Sequence, residues 1–148
     1  MLRLIASIAL VLCLGAAPAL AQSEADTDAT VDNVLGDHNA YRAAFDAIQQ
    51  AVGDGDAAGF AKWVSYPIKV VADGEDMLLS DEEQFTEHYD NILTDEIHQA
   101  ILDQAWASVL VNADGIMLGN GQVWMNGICK NDSCSEFDVK IVTIQSAN

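Results

Sequence analysis

Positive charge is what this chain has least of. It carries 6 Lys and Arg against 23 Asp and Glu, a formal net charge of −17. Nucleic acid and anionic lipid surfaces are repelled by such a chain, which excludes both as partners. Cysteine is scarce too, at 3 in 148 residues. No C-x-x-C pair and no His or Cys cluster accompanies those cysteines, which argues against a zinc site or a dithiol redox centre. Beyond the N-terminus no apolar run approaches the roughly 20 residues that a bilayer span needs. Internal repeats and low-complexity linkers are absent as well.

The N-terminus is different. Met1-Leu2-Arg3 leads into an apolar run from Leu4 to Ala17 and a small-x-small exit, Ala19-Leu20-Ala21. These are the parts of a secretory signal peptide over 1–21, with cleavage expected after Ala21 and a periplasmic or secreted product. Cys13 follows Leu12 rather than a small residue, so no lipoprotein site is read there. Removing 21 of 148 residues leaves 127, the size of one domain with an adequate core. Arg3 leaves with the leader, so five bases then face 23 acids, a net charge of −18. The acids are scattered rather than blocked, which favours solubility over a dedicated cationic partner. In an oxidising compartment Cys129 and Cys134 are expected to form a disulfide over Lys130-Asn131-Asp132-Ser133.

Residues 22–36 are small, polar and acidic without periodicity, and read as a disordered lead-in. From about Asp37 the spacing of Tyr41, Phe45, Ile48 and Val52 predicts a helix, ended by Gly53-Asp54-Gly55. Asp56 can cap a second helix carrying Phe60, Trp63 and Val64, which Pro67 stops. Ile68–Ala72, the Asp73-Gly74 turn and Met77-Leu78-Leu79 predict a small hairpin. Ser80-Asp81-Glu82-Glu83 fits a capping box that opens a third helix along Phe85, Tyr89 and Ile92 or Leu93. Thr94 with Asp95 and Glu96 bends or restarts it toward Ile97 and Ile101. Strands are then predicted over 106–112, 115–118, 121–129 and 136–144, the last alternating Phe137, Val139 and Ile141 with Asp138 and Lys140.

That order, an α+β arrangement, carries Phe45, Gly53-Asp54, Phe60, Trp63-Val64 and Tyr66-Pro67. It continues with Glu83, Phe85, Tyr89-Asp90, Asp114-Gly115-Ile116-Met117, Gly119, Gly121 and Trp124. Together they resemble the NTF2-like (SnoaL-like) superfamily, in its secreted bacterial members, across Asp37 to Ile144. The resemblance implies a single domain over 37–148, a cone of three N-terminal helices packed on a curved mixed or antiparallel sheet. It also implies a ligand at the mouth of the cone and the option of a homodimer. Isomerases, dehydratases and non-enzymatic transport factors share the fold, so fold alone does not assign a function.

The isomerases of that superfamily place a tyrosine on the first helix and an acid on the strand after the second. Tyr41 matches the tyrosine. The strand Ile68-Lys69-Val70-Val71-Ala72 holds no acid, and Asp73 falls at its turn. Other acid–base candidates are His88 and Asp46, with Asp103 in reserve; His38 and His98 lack ligand-spaced partners. His88-Tyr89-Asp90 cannot all face one pocket, because successive helical residues point about 100° apart. Trp63, Tyr89, Trp106, Met117 and Trp124 are the residues expected to line an apolar pocket, or else to fill the core. The stretch from Asp54 lacks the acidic fifth and twelfth positions of a calcium loop, so no metal is expected. Gly119-Asn120-Gly121 reads as a turn or bulge, not a dinucleotide loop.

The reading favoured by these residues is an exported, non-catalytic binding or interaction module with an apolar pocket and no cofactor. A small apolar ligand or a protein partner would occupy it. The alternatives are a small isomerase or lyase acting on a hydrophobic metabolite, and an acidic inhibitor or immunity protein for a cationic partner.

Overall fold

Residues 22–36 depart most from expectation: most of the supposed disordered lead-in is helix α1, Glu24–Val34. The computed structural model describes residues 22–146, so the expected leader at 1–21 lies outside the described residues. Ser23 caps α1 reciprocally with Asp26: the Ser23 hydroxyl accepts from the Asp26 N–H, and the Asp26 carboxylate accepts from the Ser23 N–H. Only Thr27 and Val31 are buried along it. Its attachment is otherwise polar, which is why hydrophobic periodicity does not reveal it.

Three of its carboxylates, four residues apart, each accept from a donor on the body of the protein. Glu24 accepts from Arg42 Nη1 at 3.0 Å, Asp28 from Trp106 Nε1 at 2.7 Å, and Asp32 from the His38 backbone N–H at 2.8 Å. Residues at i, i+4 and i+8 share one helix face, so the three acids act as a single row.

Helix α2, His38–Asp54, forms as its apolar stripe predicts and buries Tyr41, Phe45, Ile48 and Val52. Gly55 closes it at φ 65°, a left-handed cap that costs glycine nothing. Helix α3, Ala57–Ala61, begins at Asp56, whose carboxylate accepts from the Gly59 N–H at 2.9 Å. The Tyr66–Pro67 peptide, cis, leads into the hairpin β1, Ile68–Ala72, and β2, Glu75–Leu79.

The third predicted helix is three short ones: α4 (Glu82–Glu87), α5 (Tyr89–Ile92) and α6 (Asp95–Leu102). Its cap is Asp81, not Ser80, with the Asp81 carboxylate on the Gln84 N–H. The chain breaks helical geometry at His88 (ψ 7°) and again at Leu93 (ψ 69°), and Thr94 then restarts it as expected.

The predicted strand 106–112 is shorter than expected. Trp106–Ser108 is a 3₁₀ turn, and only Leu110–Asn112 forms strand β3. With β4 (Gly115–Leu118), β5 (Val123–Cys129) and β6 (Phe137–Ile144) it builds an antiparallel sheet in the order β3-β4-β5-β6. The β1–β2 hairpin is a separate two-stranded sheet; a parallel bridge, Val64 to Ile141, ties the segment before it to β6. The molecule is thus an α+β fold of helices followed by a curved four-stranded antiparallel sheet.

Ile116, Leu118, Val123, Met125, Val139, Ile141 and Ile144 are buried on the inner face. Alternation puts Met117 and Trp124, which pair across β4 and β5, on the other face. The Cys129–Cys134 disulfide closes the β5–β6 connection as expected.

Candidate functional site

Between the helices and the inner sheet face, buried aromatic rings pack on one another. Phe60 stacks on Phe85, with centroids 5.7 Å apart, and Tyr89 meets both rings edge-on. Phe45 meets Trp106 edge-on at 5.3 Å. These rings are core, and the apolar hollow expected of Trp63, Tyr89, Trp106, Met117 and Trp124 does not form from them. Tyr89 and Trp106 are buried, Met117 and Trp124 lie on the outer sheet face, and Trp63 lines shallow surface grooves beside Lys62. Big rings in a small domain go first to filling volume.

The acid–base candidates are also dispersed. Tyr41 donates its hydroxyl proton to Asn126 Oδ1 at 3.0 Å and accepts the Gly127 N–H at 2.8 Å. It pins α2 to β5, and burial holds its hydroxyl above the ordinary tyrosine pKa. Asp46 is exposed and faces Arg42 Nε at 3.6 Å. His88 is the hinge residue between α4 and α5, its own N–H spent on the Phe85 and Thr86 carbonyls. None of the three lines a cavity described below, and among the described residues no hydrogen bond joins any two of them.

Two concavities are instead built by residues that periodicity does not mark. The first, of about 400 Å³, lies where the β1–β2 turn, the α5–α6 junction and the end of β6 converge. Ile92, Ile97 and Ile144 form its apolar floor and all three are buried. Its rim carries Asp73, Asp90, Asn91, Thr94 and Gln145. Asp73 sits at φ 54°, a left-handed position that aspartate tolerates in turns. Its carboxylate accepts from Asn91 Nδ2 at 2.6 Å, which fixes the turn against α5. The sequence marks Asp73-Gly74 as a turn, but not what that turn faces.

The second concavity is polar and open, lined by Glu96, Gln104, Gln122, Gly119 and Asn120 among others. Buried Gln122 donates to Glu96 Oε1 at 3.0 Å and accepts the Asn120 N–H, while Gln104 Oε1 accepts the Gly119 N–H at 2.9 Å. Here glutamine side chains satisfy the β4–β5 turn, whose Gly119 stands at φ 67° with Gln122 and Ala100 where a Cβ would go. The predicted turn over Gly119-Asn120-Gly121 is confirmed, and its neighbours explain it structurally.

Among the described residues, Asp32, Asp37 and His38 are the one group whose ligand atoms come together as a cation would require. Each already has a structural role: Asp32 accepts from His38, and Asp37 caps α2 through the Asn39 N–H. No helix among the described residues is long and apolar enough to cross a membrane. No family model matches the chain, and neither a curated protein nor a solved structure matches it.

Proposed function

We propose that this chain is an exported, non-catalytic binding module of NTF2-like (SnoaL-like) design that holds a small ligand. The observation that carries the reading is the concavity between Asp73, Ile92 and Ile144. An apolar floor under a few convergent polar groups is the usual make-up of a small-molecule site, and its volume falls within the usual range. The dispersal of Tyr41, Asp46 and His88 weighs against the isomerase or lyase alternative. Export is supported by the Cys129–Cys134 disulfide, which belongs to an oxidising compartment.

A second reading, contact with another protein, is favoured by the outer sheet face. Leu110, Met117 and Trp124 form one row across β3, β4 and β5, Leu110 is 46% exposed and Ile128 is 41% exposed. In a chain this acidic, an apolar row is a natural contact surface for a second copy or for another protein.

Native mass spectrometry of the protein purified from its own host tests both readings. A small molecule retained on a monomer supports the cavity. A dimer or a protein complex without small ligand supports the sheet face. Turnover of the retained molecule by the protein would contradict the non-catalytic assignment.

A further inference from the structure

The lining of the hairpin-end cavity also specifies the charge of what enters it. Asp73 and Asp90 stand on the rim, and among the described residues no Lys or Arg lines the cavity. Four of the five described bases are committed elsewhere, and the fifth, Lys62, lines grooves other than this one. Arg42 pairs with Glu24 and Asp46, Lys69 with Asp76 at 2.7 Å, and Lys130 with Asp138 at 2.6 Å. Lys140 donates to the Lys62 carbonyl. Among the described residues no cation answers the two rim carboxylates.

We propose that the cavity binds a small organic cation, a primary amine carried on a short aliphatic or aryl body; this rests on the ligand-binding reading above. The body lies against Val71 of β1, which is 44% exposed, over the nearly closed Ile92, Ile97 and Ile144. The ammonium group turns outward to the rim. It has three N–H donors and no acceptor, so it needs a site rich in oxygen. Asp73 and Asp90 supply carboxylates and Thr94 a hydroxyl. Asn91 donates its amide N–H to Asp73, which leaves its side-chain oxygen as a further acceptor on a residue that lines the cavity.

A carboxylate ligand would meet only like charge here. A bare divalent cation fits less well than an amine. Calcium takes six to eight oxygens, the rim offers two acids, and Asp73 already shares one oxygen with Asn91. The apolar floor would be idle under a metal ion. Under an alkyl or aryl group the exposed Val71 side chain contributes affinity in proportion to the area covered.

The probes are hexylamine, 1-hexanol and hexanoate, titrated into the intact protein. Affinity is read by calorimetry, and location by amide shifts of Asn91, Ile92 and Gln145. Hexylamine is expected to bind roughly tenfold more tightly than hexanol at these residues, and hexanoate not at all. Asp73→Asn and Asp90→Asn each weaken hexylamine about three- to fivefold and leave hexanol unchanged. Asparagine keeps both the left-handed turn at position 73 and the acceptor for Asn91, so these variants fold. Asp132→Asn, on the disulfide loop, reports the effect of bulk charge and leaves hexylamine affinity unchanged.

Hexanol binding as well as hexylamine overturns the charge assignment while leaving the cavity reading in place. An equal loss from Asp132→Asn likewise overturns it, because attraction would then come from the whole surface. If none of the probes shifts Asn91, Ile92 or Gln145, both the inference and the cavity reading fall.

Discussion

Asp28 on α1 accepts the indole N–H of Trp106, 78 residues further along the chain, at 2.7 Å. The contact joins the first described helix to the turn that starts the sheet. Trp106 also packs on Phe45 and lies under the Arg42 guanidinium, 5.3 Å from the ring centroid. Asp28→Ala leaves a buried indole N–H without a partner. It is expected to cost about 1–3 kcal/mol in urea denaturation. Asp28→Asn keeps an acceptor and is expected to cost about half as much. Equal losses would mean that Asp28 acts through charge alone.

Val31 is the apolar anchor of the same helix and is fully buried. Val31→Ala is expected to destabilise the protein by about 2 kcal/mol. Amide exchange should show Thr27 to Leu35 protected in the parent protein and faster in the variant. Fast exchange in both would restore the disordered lead-in.

His38 and Asp32 make this junction sensitive to pH. Hydrogen bonding to Asp32 raises the His38 pKa above its ordinary 6.5, aided by the charges of Asp32, Asp28 and Asp37. Asp32 is lowered below its ordinary 3.8, chiefly by the His38 backbone N–H and then by its ring. A raised histidine pKa gives stability that is fully present below about pH 6.5 and is lost as pH rises through the higher folded value. The Asp32 contribution has the opposite sense: it is present above about pH 4 and is lost as pH falls toward its lowered value. The α1–α2 junction should therefore be firmest between these limits, in mild acid. Proton NMR of the His38 ring should give a midpoint above 6.5, which Asp32→Asn returns toward the ordinary value. An unchanged midpoint in that variant would exclude the pairing.

Tyr41→Phe separates a structural tyrosine from a catalytic one. Loss of the hydroxyl removes one of two acceptors of the Gly127 N–H, the other being Asn126 Oδ1 at 2.8 Å, so a cost of about 1 kcal/mol in thermal or urea unfolding is expected. Ligand affinity at the hairpin-end cavity should not change. Lost affinity with unchanged stability would return Tyr41 to the functional site.

The Cys129–Cys134 bridge closes a short loop, so paired serine substitution is expected to cost about 2 kcal/mol by loop entropy. The loss should equal that seen on adding reductant to the parent protein.

Much of the architecture was legible in the sequence. The Tyr41–Val52 stripe, the Asp56 cap, the Asp73-Gly74 hairpin and the alternation along Phe137–Ile141 each carry a local signal that tertiary structure did not overrule. Helix α1 was not legible, because one valine and three hydrogen-bonded carboxylates hold it rather than an apolar face. Trp106 has the propensity of a strand residue, yet its indole N–H is drawn to Asp28 and the chain turns there instead. The site was the least legible part. Its aromatic candidates were spent on packing, whereas the cavity arises from turn residues, Asp73 and Asn91, and from isoleucines that read only as core. Spatial convergence of three separate segments leaves no periodic trace in any of them.

The central claim is that a small ligand rests, unaltered, between the Asp73 turn, Ile92 and Ile144. A crystal structure of the protein purified from its host without denaturation or exhaustive dialysis tests it most directly. The account predicts ligand density on that isoleucine floor, with its polar end toward Asp73 and Asp90. Density for a bound molecule against Tyr41 or His88 instead would contradict it.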